Sequence, residues 1–428
     1  MSLPAILHAG IYLSGYFTYE REIVNQKKFL PKYAFSNFLE KNHLYLSQKY
    51  YSNWLATLYP SQARMEAQGF REFSSNQLIL QGSGGAHTVE TPSGTISFSI
   101  GTIDIYLFRE GMGVFSISIL PPAESQQFAT LSSLVTVLRN TTQNNSFPNH
   151  NPLPGIIETE ITPWFTGDPQ SWRKFNPHLR LFLNIDVDRE FVSDRQFDQT
   201  LFELATAMPI GDIGTQGLYA PSQAYYDQLM SGNTINVFRN WRTLCIFDSI
   251  VRISVDLRKA DSFNLWETDY YHIIIFTSFV RFYLYHTNAR LSLLTDKSKE
   301  AVAIRDEYIL FLNDFDLTQI SYKFLPNIIY KMLIKSLEIS EELKRLDQKL
   351  LVIDTAVREG RVARIENFAR LIVFLSLFTI LTDGVDLLEK NLGLEESLTL
   401  TRIITGSLLV FVTTLVIIVF LRNKKTMR

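Results

Sequence analysis

Four polar residues recur at intervals of three or four in an otherwise apolar stretch near the end of the chain. Residues 371–390 read LIVFLSLFTILTDGVDLLEK, and Ser376, Thr379, Asp383 and Asp386 fall on one face of a helix of that sequence. Hydroxyl and carboxylate groups along one face can line a water-filled passage, and rings of carboxylates concentrate cations. The complete set that we expect at such a pore is Leu375, Ser376, Thr379, Thr382, Asp383 and Asp386, with Asp383 and Asp386 contacting a metal ion.

The same residues have a plainer explanation. Ser and Thr in membrane helices often donate to their own backbone carbonyl four residues earlier. The two aspartates can simply mark the end of a short, tilted helix. The sequence leaves both explanations open.

Two apolar segments predict a transmembrane hairpin. Residues 403–421 are 19 residues without a charge, which suits the ~20 residues of a membrane span. The earlier segment, 369–388, has only 12 residues between Arg370 and Asp383, about 18 Å of helix, so it must continue through both aspartates to cross. Arg and Lys flank the hairpin, and the 389–402 loop is acidic. The Lys/Arg bias therefore places both termini and the basic 422–428 tail in the cytoplasm of a multi-pass plasma (inner) membrane protein.

A heptad seam precedes the first apolar segment. All 15 prolines lie at or before Pro326, so the remaining residues can be helical almost throughout. Over 327–368 the sequence predicts a stalk helix that packs against copies of itself or against another long helix. The seam residues step by four and three: Ile339, Leu343, Leu346, Leu350, Ile353 and Val357. A carboxylate at membrane depth is costly. Self-association would let the polar face of the first span line a water-filled pore instead of facing lipid.

Residues 1–325 have the mixed texture of an α+β or α/β cytosolic domain. Strand patterns at 103–108 and 114–119 flank a glycine turn, another covers 178–187, and a Pro-rich stretch suggests a subdomain junction near 140–178. Helices are expected near 35–59, 189–207, 221–231 and 266–292. The net charge of −2 argues against a nucleic-acid partner, and the one cysteine, Cys245, excludes an intrachain disulfide.

This order of parts resembles the CorA family of divalent-cation transporters. The resemblance covers the architecture, while the family's Gly-Met-Asn motif is replaced by Thr382, Asp383, Gly384, Val385 and Asp386. It implies a homopentamer whose first membrane helix lines the pore and a magnesium-like transported ion. Divergent members associated with type III CRISPR systems act in antiviral defence, which implies a nucleotide-type small-molecule messenger as the ligand, at residues that the sequence does not indicate.

Two functions follow as expectations. The first is an oligomeric channel or transporter for cations, gated by its cytosolic domain. The second is a non-conducting, membrane-anchored sensor or scaffold protein. We expect no enzymatic activity. The short motifs QGSGGAH (81–87), DVD (186–188) and GDIGTQG (211–217) are typical of turns, and His272 and His286 of structural histidines in an aromatic helix.

Overall fold

The chain divides into two units, Met1–Leu350 and Leu351–Arg428, and each is described by itself. The structure is a computed structural model, which describes residues 3–19, 48–51, 77–81, 86–91, 94–108, 111–122, 127–142, 151–162, 171–215, 220–255, 265–294, 299–392 and 406. We call the described residues of the first unit the body.

The body contains a mixed sheet. The described residues form nine strands in the order β2-β4-β5-β1-β6-β9-β8-β7, with β3 paired to β4. The pairs are antiparallel except β6 with β9. The strands are β1 (Ile6–Thr18), β2 (Gln77–Gln81), β3 (His87–Thr91), β4 (Gly94–Phe108), β5 (Met112–Leu120), β6 (Arg180–Val187), β7 (Thr234–Ile235), β8 (Trp241–Ile246) and β9 (Ser249–Val255).

Helices cover both faces of this sheet. They are α1 (Phe128–Arg139), α2 (Leu153–Ile156), α3 (Asp194–Thr206), α4 (Gln223–Asn233), α5 (Tyr271–Leu293), α6 (Lys299–Phe315), α7 (Phe324–Ser336) and α8 (Ile339–Leu392). A π-helical turn, Trp266–Tyr270, leads into α5. The predicted strands and the predicted helices near 189–207, 221–231 and 266–292 are confirmed, and most of 35–59 lies outside the described residues.

One face of the sheet is apolar. Side chains alternate across a strand, so Ile11 and Leu13 of β1 share a face with Leu183 of β6 and Val251 of β9. These residues are buried in one core cluster with apolar residues of α1 and α3. Burial of a large aliphatic side chain stabilises the folded state by about 1.5–3 kcal/mol. This face therefore supplies much of the driving force for folding.

The opposite face of the sheet is polar and also buried. Gly10 of β1, Asn184 of β6, Arg252 of β9 and Thr243 of β8 are successive neighbours across four strands. Helix α5 and the turn before it cover this face, as the contact between the rings of Tyr12 and Tyr271 shows. Polar side chains in such a layer must find hydrogen-bond partners inside the protein.

The predicted 327–368 stalk is interrupted near its start. Helix α7 ends at Ser336, and Glu338 has a φ of 53° before α8 begins at Ile339. A left-handed residue other than glycine is uncommon and costs roughly 1–2 kcal/mol. The break lets both Leu337 and Ile339 become buried, which offsets that cost. From Ile339 the helix continues unbroken to Leu392.

The prediction of two C-terminal transmembrane helices is wrong for the part of the chain that the structure describes. None of the helices described there combines the length and the apolar character needed to cross a membrane. The predicted 369–388 span lies in α8, where Arg370 and Asp383 leave an uncharged run of only about 18 Å against a ~30 Å hydrocarbon core.

The second predicted span, 403–421, lies outside the described residues except for Gly406. The CorA-like membrane architecture and the description as a membrane transport protein depended on those spans and are not supported by the described residues. The homopentamer, the gated cation channel and the antiviral role stay predictions. A mixed α+β body with a long helix remains.

Candidate functional site

The predicted pore residues lie on the second half of α8. Leu375, Ser376, Thr379 and Asp383 are exposed, whereas the side chains of Thr382 and Asp386 lie outside the described residues. Ser376 Oγ donates to the Ile372 carbonyl at 2.9 Å, and Thr379 Oγ1 donates to the Leu375 carbonyl at 3.0 Å. The hydroxyls thus make the bonds to their own helix that the plainer explanation describes.

The structure does not assemble a metal site in the residues that it describes. No group of three or more His, Cys, Asp or Glu side chains comes together there. Asp383 and Asp386 are one turn apart on α8. Their predicted contact with a metal ion, and the predicted magnesium-like ion and nucleotide-type ligand, stay predictions.

The predicted seam divides into two parts. Ile339, Leu346 and Leu350 are buried. Leu343 and Ile353 are half-buried, and the side chain of Val357 lies outside the described residues. The beginning of the seam is therefore packed within one chain, and its predicted role in association between copies stays a prediction.

Glu342 is the centre of the polar contacts at the start of α8. Its carboxylate accepts from Asn288 Nδ2 at 3.1 Å and from Arg345 Nη1 at 3.0 Å. Arg281 Nη1 of α5 lies 3.5 Å from Glu342 Oε1, an ion pair that is longer than a good hydrogen bond. The Glu342 side chain is only 7% exposed, so these neighbours replace the water that would otherwise contact its carboxylate.

Two further contacts hold the first turns of α8. Tyr308 of α6 donates to Asp347 Oδ1 at 2.9 Å, and burial together with this bond raises the pKa of Tyr308. Lys349 Nζ donates to Ser292 Oγ of α5 at 2.8 Å and also bonds Asn288. Helix α8 is thus joined to both α5 and α6.

A half-open cleft lies where α5, α6, α7 and α8 meet. Its volume is about 420 Å³. Apolar side chains form most of its wall, Asp316 and Lys331 lie at its rim, and the buried Tyr330 hydroxyl donates to the Leu317 carbonyl at 2.8 Å. The cleft is large enough for a small organic molecule.

An apolar stripe runs along the described second half of α8. We define the α8 stripe as Ile365, Phe368, Ile372, Leu375 and Thr379, which step by three and four residues. Its four apolar members are between 48% and 69% exposed. Glu366 and Arg370, which form an ion pair at 3.9 Å, lie on the opposite face. Up to Arg370 this half of α8 is therefore amphipathic, whereas after it exposed apolar residues such as Val373 and Ile380 also lie outside the stripe.

The polar layer of the body contains a charged network. Arg252 Nη1 lies 2.5 Å from Asn184 Oδ1 and 3.1 Å from Asp186 Oδ1, and all three residues are fully buried. Glu267 accepts from Tyr12 at 2.7 Å and from Asn184 at 3.4 Å. Burial lowers the pKa of Arg252 to about 10, and Asp186 opposes that shift. Burial also raises the pKa of Glu267, despite its hydrogen bonds to Tyr12 and Asn184.

The charged network requires a glycine in β1. A Cβ on Gly10 would lie 1.9 Å from Glu267 Oε1, so any side chain there would displace the carboxylate. Most of this network is buried and hydrogen-bonded, which is the arrangement of a layer that fixes one packing of sheet and helix.

The remaining short motifs are structural where they are described. Asp186 of DVD belongs to the charged network, and Asp188 Oδ1 accepts from Ala5 N at 2.8 Å. In GDIGTQG, Gly211 N and Ile213 N donate to the Glu203 carboxylate at 2.9 and 3.0 Å. Residues 82–85 of QGSGGAH lie outside the described residues.

The two singled-out histidines lie among aromatic rings. The His272 ring is 6.3 Å from the Tyr106 ring, and the His286 ring is 5.8 Å from the Phe175 ring. Burial lowers the pKa of His286, and Arg290 contributes to that shift. Both residues therefore suit the structural role that the sequence predicts.

Comparisons with known proteins do not place the chain in a family. No family model, curated protein or solved structure matches it. The resemblance to CorA transporters stays a prediction.

Sequence reasoning missed the charged network and the stripe. Asn184 and Asp186 alternate with apolar residues along β6, a period-two pattern that normally indicates a solvent-facing side. The stripe was detectable as a second set of three- and four-residue steps, one position after the seam. Its signal was hidden because nearly every residue from Leu371 to Leu381 is apolar.

Proposed function

We propose that this chain is a sensor or scaffold protein that works through association of its own copies along α8. The observation that carries the proposal is the α8 stripe, whose four apolar members are exposed on one face of a described helix. Large apolar side chains in a row mark an interaction surface. Each one that is removed from water on association contributes about 1.5–3 kcal/mol at full burial.

The stripe suits a second copy of the same helix. Ile365 and Ile372 occupy one heptad position, and Phe368 and Leu375 occupy the other, three residues later. Ile at a and Leu at d favour two parallel strands in a coiled coil. A stripe of this kind is complementary to itself, so copies aligned in parallel bury equivalent residues against each other.

The body supplies the other half of the proposed role. The first turns of α8 are held by the Glu342 contacts, by Tyr308 and by Lys349. A change in the body that alters these contacts alters how the first turns of α8 are held. Such a link is what a sensor needs, and a rigid link serves a scaffold equally well.

We prefer this proposal to a cation channel. A channel needs helices that cross the bilayer, and the described residues contain no helix that is both long and apolar enough. Self-association needs only the exposed stripe.

The test uses two adjacent residues of α8. Ile372 belongs to the stripe, whereas Val373 is exposed but points away from it. The full-length protein and its Ile372→Glu and Val373→Glu variants are compared by sedimentation velocity and mass photometry over a concentration series. Ile372→Glu should raise the concentration at half-association at least tenfold, because it places a carboxylate in the apolar contact. Val373→Glu should change it less than twofold.

Two results would overturn the proposal. One is a wild-type protein that stays monomeric at tens of micromolar, and the other is an equal effect of both substitutions. Co-sedimentation of the wild type with phospholipid vesicles, reduced equally by both variants, would identify a lipid surface as the partner instead.

A further inference from the structure

Arg180 is a buried cation at the beginning of β6. The residue is 4% exposed, and Nη1 donates to Ser278 Oγ of α5 at 2.7 Å. Its Nε and Nη2 atoms are buried and make no hydrogen bond within the part of the chain that the structure describes. Burial lowers the pKa of Arg180, and Tyr16, which interacts with the guanidinium by charge and by a side-chain hydrogen bond, opposes that effect only partly, as do Cys245 and Asp248.

The nearby carboxylate is already engaged. Asp248, in the turn between β8 and β9, forms an ion pair with Arg139 of α1. The backbone of this turn lies beside Arg180, because Leu181 N donates to the Asp248 carbonyl at 3.0 Å. A buried guanidinium whose donors are left unpaired is strongly destabilising. Among the described residues, no carboxylate makes a hydrogen bond to Arg180.

A second arginine reaches the same turn. Arg281 follows Ser278 by three residues on α5, so the two side chains are neighbours on one helix face. The Arg281 guanidinium lies 5.3 Å from the centre of the Phe247 ring, next to Asp248. Its Nε and Nη1 atoms are buried without a hydrogen bond among the described residues, and Nη1 is 3.5 Å from Glu342.

We infer that Arg180 and Arg281 form a binding site for a phosphate-sized oxyanion beside the turn between β8 and β9. Two guanidinium groups supply planar pairs of N–H donors, the arrangement that matches phosphate oxygens. Ser278 holds Arg180 in place for this role. The turn beside the two arginines is partly exposed: Phe247 is 52% exposed and the Asp248 side chain is 47% exposed.

The site also touches the start of α8. Arg281 is shared between the oxyanion site and Glu342. An oxyanion that takes the Arg281 donors competes with Glu342 for the same guanidinium. This provides one route from ligand binding to α8, but the site itself does not depend on association between copies.

The experiment measures phosphate binding to the full-length protein. Thermal unfolding and titration calorimetry are performed with inorganic phosphate and with phenyl phosphate, at an ionic strength held constant with sodium chloride. The wild type should show a saturable rise in Tm of several degrees, because a ligand that binds the native state stabilises it. Stronger binding of phenyl phosphate would identify an organic phosphate as the natural form, and equal or weaker binding a free oxyanion.

Three variants decide the assignment. Arg180→Met should abolish the phosphate-dependent rise, and without phosphate it should unfold at the same or a higher temperature, because it removes an uncompensated charge. Arg281→Gln should weaken phosphate binding at least tenfold and covers the case in which Arg180→Met does not fold. Arg242→Gln is the control, since Arg242 pairs with Asp194 and Asp198 elsewhere on the sheet.

A wild-type protein without a saturable response to either phosphate would overturn the inference. So would a response that persists unchanged in Arg180→Met, or in Arg281→Gln should Arg180→Met not fold. A loss of binding in Arg242→Gln equal to that in Arg281→Gln would show a general effect of surface charge.

Discussion

Glu267 joins the sheet to the turn that begins α5. Its carboxylate accepts from Tyr12 of β1 and Asn184 of β6, and it lies over Gly10, where no side chain fits. Arg252 and Asp186 are the charged groups that face it from the sheet, and both influence its pKa. One half-buried acid thus links two strands and a helix.

The raised pKa of Glu267 predicts a specific dependence of stability on pH. Because the folded state binds the proton more tightly than the unfolded state, the stabilising contribution is complete below about pH 4.5, the ordinary value. It is lost as the pH rises through the folded-state pKa. The free energy of unfolding, measured in urea, should therefore fall with rising pH in the wild type.

Glu267→Gln provides the matched control for that measurement. The amide keeps an acceptor for Tyr12 but does not titrate. Its free energy of unfolding should fall less steeply from pH 4.5 upward, and Glu203, whose pKa burial also raises, is the same in both proteins. Parallel curves for the two proteins would show that Glu267 is not the titrating group.

At the level of elements, α8 changes its environment along its length. Leu346 is 0% exposed and packs in the body, whereas Leu351 is 68% exposed five residues later. The Leu346→Ala variant should lower the free energy of unfolding by about 2–5 kcal/mol, since it leaves a cavity. Leu351→Ala should change it by about 0.5 kcal/mol or less. Urea denaturation followed by tryptophan fluorescence measures both.

The comparison of these two leucines tests the packing of the helix. Both substitutions remove the same atoms and have the same effect on helix propensity. If Leu351→Ala lowers the free energy of unfolding as much as Leu346→Ala does, the Leu351 side chain is packed and not exposed. Equal and small losses would mean that the beginning of α8 is not part of the core.

At the level of the whole molecule, the sequence predicted what depends on local pattern. The β4–β5 hairpin was predictable because alternating residues flank a glycine turn, and Gly111 indeed has a φ of 74°. The aromatic helix was predictable because its apolar run exceeds the length of a strand. The continuity of α8 was predictable because no proline follows Pro326.

The sequence failed where the outcome depends on distant neighbours. Nothing local shows that Arg252 meets Asn184 and Asp186, because the three are brought together only by the parallel pairing of β6 with β9. The left-handed conformation of Glu338 was also unpredictable. Its cost is offset by the burial of its two neighbours, Leu337 and Ile339, and that burial depends on the tertiary structure. Apolar content alone suggested a membrane span in α8, although Arg370 and Asp383 limit the uncharged run there to 12 residues.

A chain that ends after Asp354 tests whether the first unit folds without the second and whether the second is needed for association. It keeps Ile339, Leu346 and Leu350 in the body and removes the α8 stripe. It should unfold cooperatively with the tryptophan fluorescence of the full chain, and it should sediment as a monomer at concentrations where the full chain associates. A truncated protein that still associates would place the contact between copies on the body, and one that does not fold would show that the body needs the second unit.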